Sequence, residues 1–367
     1  MNVTFLIGNG FDIGIGMKTR YGDFYSEYIK LKIDNENILE FQKEIQDNIK
    51  DWADFEEAFG KHSESFEANE ADKYLQQYEH FFEYFLEYLK KEEKNFEMPE
   101  ELEVIKIMER ALTNYYKKLQ SQDRESIEDF YKWFGNNITY TFISFNYTSI
   151  LDAFVNIFKN YLKREQRPEI IMPTIHVHGL LEKYMIIGVN DKSQITNKDL
   201  SENPEVLAEI VKPIINKGLK MGYDTKATKA INQSDIICVY GMSLGATDCK
   251  WWELLAKWLS ANTSKKLIIL NYQPDCDIAR PYTWLRAKNK IINKFLGYGT
   301  LTDSQKEKLD NQICVGINQN IFSYKKPKRK KSVIQHIENK NSTEIELQQK
   351  SMKLLTEIVE RTKQNSK

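Results

Sequence analysis

The spacing of apolar positions divides this chain into segments of different kinds. Val3 to Ile7 is an apolar run holding one threonine, too short for a helix and closed by glycine, so it reads as a buried strand. After Thr19, and as far as residue 135, the chain is charged, aromatic-rich and almost free of Gly and Pro, which is helical composition. Within it Tyr74, Tyr78, Phe81, Phe82, Phe85 and Tyr88 recur at three- and four-residue steps and form one aromatic stripe, read as packing between helices. Met98-Pro99 interrupts the pattern; residues 100–120 and 123–134 predict two more helices, the second ending near Gly135.

From Ile138 short apolar and β-branched runs alternate with helical stretches, as in a parallel α/β sheet. The predicted strands are 139–145, 174–178, 184–189, 235–240, 266–270 and a final 313–317. The predicted helices between them are 149–162, 204–233 and 250–259, with 277–308 mainly helical and an amphipathic helix over 344–360. The expected fold is a Rossmann-like parallel sheet, residues 1–20 plus 136–322, with an all-helical insertion over 21–135. A basic linker and a C-terminal helix fill 323–367.

Composition narrows the function classes. With 52 basic and 53 acidic residues the chain carries no global bias toward nucleic acid or membrane, so nucleic acid is not an expected partner. The basic run 325–331 reads as a solvated linker. Cys238, Cys249, Cys276 and Cys314 lie far apart without a CxxC pair and read as reduced thiols of a cytoplasmic protein. No apolar run approaches the roughly 20 residues that span a bilayer. No metal is expected.

The candidate chemistry sits where strands end. Gly8-Asn9-Gly10-Phe11-Asp12, with Gly14 and Gly16 behind, follows the first strand, and such a loop suits a phosphate because glycine lets backbone amides approach an anion. An ordinary tight βα turn has the same signature. A hydride-transfer fingerprint is excluded: the third glycine of GxGxxG would fall on Ile13, and no ribose-binding acid follows on a second strand. Asn146, His178, Asp191, Ser243 and Asn271 end later strands, which is where open parallel sheets bind ligands. Glu56, in an acidic and aromatic stretch, would reach back to the glycine loop; solvated helix charges are the plain alternative.

These motifs come in a recognisable order. The loop with Gly16, then Phe145-Asn146-Tyr147, His178-Gly179, Gly241-Met242-Ser243-Leu244 and Asn271, resembles the Sir2 family. GNGFD with Gly16-Met17-Lys18-Thr19, then SFNYT, HVHG and GMSLGATD, over about residues 1 to 275, resembles the AbiH family of phage abortive-infection proteins. Asp12, Lys18 and Tyr147-Thr148 depart from the Sir2 pattern, and its zinc-binding cysteines are missing, so deacetylation is not implied. What the resemblance implies is cleavage of the nicotinamide–ribose bond of NAD with water as acceptor. Asn146, His178 and Asp12 would carry the chemistry; Gly8, Asn9, Gly10, Phe11, Gly16, Thr19, Tyr147, Asp191, Gly241, Ser243, Leu244 and Asn271 would hold NAD. A homo-oligomer and a phage-derived trigger are the other expected partners.

Two rivals remain at this level. His176 and His178 lie two apart on a predicted strand and would share one metal with Asp12, Asp191 or Asp248, as in a metallohydrolase or nuclease. A catalytically silent nucleotide sensor that recruits a partner is the other.

Overall fold

The chain starts with β1 (Asn2–Ile7), which passes through a two-residue turn into the short helix α1 (Gly10–Gly14). The helical stretch follows as α2 (Tyr21–Tyr28), α3 (Glu36–Asp47), α4 (Phe55–His62), α5 (Ala71–Asn95), α6 (Glu101–Asn114) and α7 (Ser121–Phe134). Then come β2 (Thr139–Ser144), α8 (Ile150–Arg164), β3 (Ile170–Ile171), β4 (Ile175–His176), α9 (Pro204–Ile210), α10 (Lys212–Leu219) and α11 (Tyr223–Asn232). The last part holds β5 (Ile236–Tyr240), α12 (Cys249–Ser260), β6 (Lys266–Asn271), α13 (Pro281–Gly297), α14 (Asp303–Asp310) and β7 (Ile313–Ile317). This computed structural model describes residues 1–135, 137–277, 279–299 and 301–324; the basic run 325–331 and the helix expected over 344–360 lie outside them.

All strand pairs are parallel, in the order β3-β2-β1-β5-β6-β7, with β4 also on β2. This is the Rossmann-like arrangement expected from the alternation of strands and helices: β1 lies in the middle, and the chain builds outward on one side before crossing to the other. Side-chain alternation splits β1 between two cores. Val3, Phe5 and Ile7 pack with Met108, Tyr115, Phe154 and Phe158, under α6 and α8. Leu6 faces Ile231, Trp252, Leu255, Ile292 and Phe295, under α11, α12 and α13.

The helical stretch divides its packing. Helix α6 belongs to the sheet's first core, whereas α2 to α5 build a third core with residues 181–211. The aromatic stripe of α5 is its spine: Phe81 stacks on Phe55 of α4, with ring centroids 3.5 Å apart, and meets Phe24 of α2 edge-on at 5.2 Å.

Two expectations change here. Residues 184–189 are irregular backbone, not a strand: Met185, Ile187 and Val189 bury in the helical core, and the Ile186 N–H donates to the His178 carbonyl instead of entering a ladder. The apolar run that mimics a strand is there because the segment is covered on several sides. The helix expected over 204–233 is three helices, broken where Val211 is extended ahead of Lys212-Pro213 and again at Gly222, which is left-handed.

Candidate functional site

The C-terminal ends of β1, β2, β5 and β6 open into one cavity of about 1080 Å³, above the usual size of small-molecule clefts. It lies where the strand order reverses at β1, the place where open α/β sheets bind nucleotides. Asp54 and Glu56 at the start of α4 form part of one wall, and Lys290 and Lys294 of α13 part of another.

Two glycine loops make the cavity's base. Gly10 presses against Gly241 so closely that a Cβ on Gly10 would stand 2.3 Å from the Gly241 Cα, and one on Gly241 would stand 2.7 Å from the Gly10 Cα. Gly241 also takes φ +71° and Leu244 φ +53°, so the second loop bends through two left-handed residues. The N–H groups of Gly8, Gly10 and Phe11 donate to the carbonyls of Tyr240, Gly241 and Gly8. The first two tie the loops together and the third closes the first loop on itself, so none of these amides is free for a phosphate. The Phe11 ring leaves the cavity for the core, edge-on to Phe154 and Phe322, and Gly16 is an exposed turn residue with φ +101° away from the lining. Asn9 and Thr19 do line the cavity and brace each other: the Asn9 amide donates to the Thr19 carbonyl at 2.8 Å, and the Thr19 hydroxyl donates to Asn9 Oδ1.

Asp12, Asn146 and His178 come together in the lining, each at most 5 % exposed. Asp12 Oδ1, both side-chain heteroatoms of Asn146, and His178 Nδ1 are buried without a partner in good hydrogen-bond geometry among the described residues, although the Asn146 amide lies close enough to Asp12 to favour its anion. Buried polar atoms are rarely left so, because each costs about 1–3 kcal/mol, and these belong to three side chains of one cavity lining, where a ligand can supply partners. Burial pushes the Asp12 carboxyl up to about 7; the hydrogen bond from Thr148 (2.9 Å) and the nearby Asn146 amide oppose the rise, and the charge of Glu93 adds to it.

His178 is backed by charge. Its Nε2 lies 3.0 Å from Asp248 Oδ1, and the ammonium of Lys212 donates to that same oxygen at 3.3 Å and to Glu56 Oε2 at 2.8 Å. Burial disfavours the Asp248 anion, but the Lys212 charge and the hydrogen bond from His178 outweigh it and hold the carboxyl well below the usual range. Burial likewise disfavours the Lys212 cation, and Asp248 and Glu56 together keep it well above its ordinary value. Asp54 is lifted to about 6, first by burial and then by the charge of Glu56.

The remaining sequence-derived positions divide. Tyr147, Gly241, Ser243, Leu244 and Asn271 line the cavity; the Tyr147 hydroxyl donates toward Glu56 and the Ile186 carbonyl at 3.4 Å. Asp191 does not: its carboxylate accepts from the Ser193 N–H and caps a short turn of helix. His176 and His178 do not share a ligand position, because β4 ends at His176. His176 Nε2 pairs with Asp152 at 2.7 Å, and only His178 reaches the lining. Sequence reasoning missed Lys212, whose charge reads as one more solvated lysine, and the contributions of Tyr21, α13 and residues 318–320, which no local motif marks.

A family model described as "Bacteriophage abortive infection AbiH" matches residues 4–270, well over half of the chain. No curated protein matches it. The chain belongs to the AbiH family and carries that family's role in bacteriophage abortive infection.

Proposed function

We propose that this AbiH-family chain acts in abortive infection by hydrolysing NAD at the nicotinamide–ribose bond, in a Sir2-like cavity. The single observation that carries the reading is the set of unpartnered polar atoms on Asp12, Asn146 and His178 beside a large cavity at the switch point of the sheet. A dinucleotide suits that position in a sheet of this order.

The chemistry asks for little acid catalysis. NAD and water give nicotinamide, ADP-ribose and a proton; nicotinamide leaves as a neutral molecule because its ring nitrogen regains the bonding pair. The protein must hold the ribose, stabilise an oxocarbenium-like carbon and aim a water. Asn146 offers a donor and an acceptor to ribose hydroxyls or the water, and His178 takes the water's proton. Asp12 accepts from a ribose hydroxyl when ionised and donates to it when protonated. The acids Asp54 and Asp248 favour developing positive charge, while Lys290 and Lys294 suit the phosphates. With Gly8, Gly10 and Phe11 amides engaged, the phosphates are assigned to the Gly241–Leu244 loop and α13.

The test is incubation of the purified chain with NAD, alone and with extract of phage-infected cells, followed by assay for nicotinamide and ADP-ribose. Their stoichiometric release, unaffected by chelator, is expected. Intact NAD under both conditions, with chelator-sensitive breakdown of nucleic acid, would favour the metal-dependent alternative instead. Saturable NAD binding without turnover would favour the sensor.

A further inference from the structure

We infer that Asp248, held by Lys212 and Glu56, is the positioning residue that fixes His178 with its proton on Nε2 and leaves its Nδ1 lone pair without a protein partner, and that this chain of contacts ties the imidazole to α4. The role given to Nδ1 as proton acceptor rests on the proposed NAD hydrolysis; the tautomer and its supports do not.

The geometry decides the tautomer. A carboxylate that Lys212 keeps ionised has no proton to give, so the 3.0 Å contact between Asp248 Oδ1 and His178 needs the hydrogen on Nε2. A neutral imidazole with Nε2–H presents a bare lone pair at Nδ1, and Nδ1 is the atom that the described residues leave without a partner. Phe145 packs against the ring edge-on, with centroids 5.3 Å apart. Asp248 lies just ahead of α12, Lys212 starts α10, and Glu56 belongs to α4, so the contacts cross from the sheet's own helices into the helical core. Glu56 is anchored there a second time: its Oε1 accepts from the Gly188 N–H at 3.2 Å. Lys212, 4 % exposed, is the only lysine or arginine paired with either acid among the described residues, so Glu56 and Asp248 share its one positive charge. A shift of α4 that withdrew Glu56 would change the charge on the bridge that holds His178.

The test reads the tautomer directly. Long-range proton–nitrogen correlation spectra of the intact chain, recorded where the imidazole is neutral, should show His178 with Nε2 protonated and Nδ1 bare. Asp248→Asn, whose amide can donate, should move the proton to Nδ1 in part of the population. In the NAD assay the same variant should lower kcat by about 10²–10⁴-fold with little change in KM. Glu56→Gln should weaken turnover less and be non-additive with Asp248→Asn. A wild-type imidazole protonated on Nδ1 overturns the proposal whether or not NAD is turned over. Unchanged kcat in Asp248→Asn overturns it while leaving NAD hydrolysis standing.

Discussion

Asp12 is where one atom's environment has the widest consequence. Its carboxyl, ordinarily titrating at 3.8, is raised to about 7 by burial, so the neutral form is favoured in the folded chain. The folded pKa lies above the unfolded one, so no penalty exists below about pH 4, where both states are protonated. The penalty grows as pH rises toward about 7 and is complete above it. At about 1.4 kcal/mol for each pH unit separating the folded and unfolded titrations, it reaches on the order of 4 kcal/mol. Asp12→Asn is therefore expected to match the wild type at pH 4 and exceed it in stability at pH 8, read from urea midpoints at the two pH values. Equal midpoints at pH 8 would show that the carboxyl is hydrated in the cavity. Gly10 is the second such position, since Gly10→Ala drives a methyl into the Gly241 backbone. A loss of about 1–3 kcal/mol is expected, as a lower urea midpoint at unchanged slope. At this scale the sequence was informative where a residue ends a strand: Asn146, His178 and Ser243 all reach the cavity. Asp191 follows an equally apolar run, yet it caps a turn, because the run ahead of it joins no ladder.

Among the elements, α4 and α5 decide whether the wall of the cavity exists. Glu56 enters the lining from α4, whose position depends on Phe55 and Phe59 stacking against Phe81 and Tyr74 of α5. Phe81→Ala should cost about 3–5 kcal/mol of stability in denaturant titration. It should weaken NAD binding as well, measured under conditions where the variant remains folded; full binding with the stability lost would mean that α4 keeps its place without the stack. The aromatic stripe was legible because its 3.6 period survives packing on one face. The segment 184–189 was not, because an apolar run covered on several sides carries no period, and strand and buried loop then look alike. The break at Lys212 carries a local mark in Pro213, but nothing local marks the lysine itself as the bridge between Glu56 and Asp248.

For the molecule as a whole, alternating strands and helices announced a parallel sheet, and polar strand ends announced a crevice, but the lateral order of the strands is a tertiary fact. Only that order puts β1 between β2 and β5, which brings Gly10 against Gly241, sets Asn146 near Asp12 and puts His178 in the same lining. No helix among the described residues is long and apolar enough to cross a membrane. The most direct test of NAD hydrolysis in this cavity measures NAD affinity and nicotinamide release side by side for the wild type, Asn146→Ala and His178→Ala. The expected result is release by the wild type, with turnover in both variants reduced by at least about 10²-fold while affinity falls far less. Nicotinamide release that continues undiminished in both variants would contradict it.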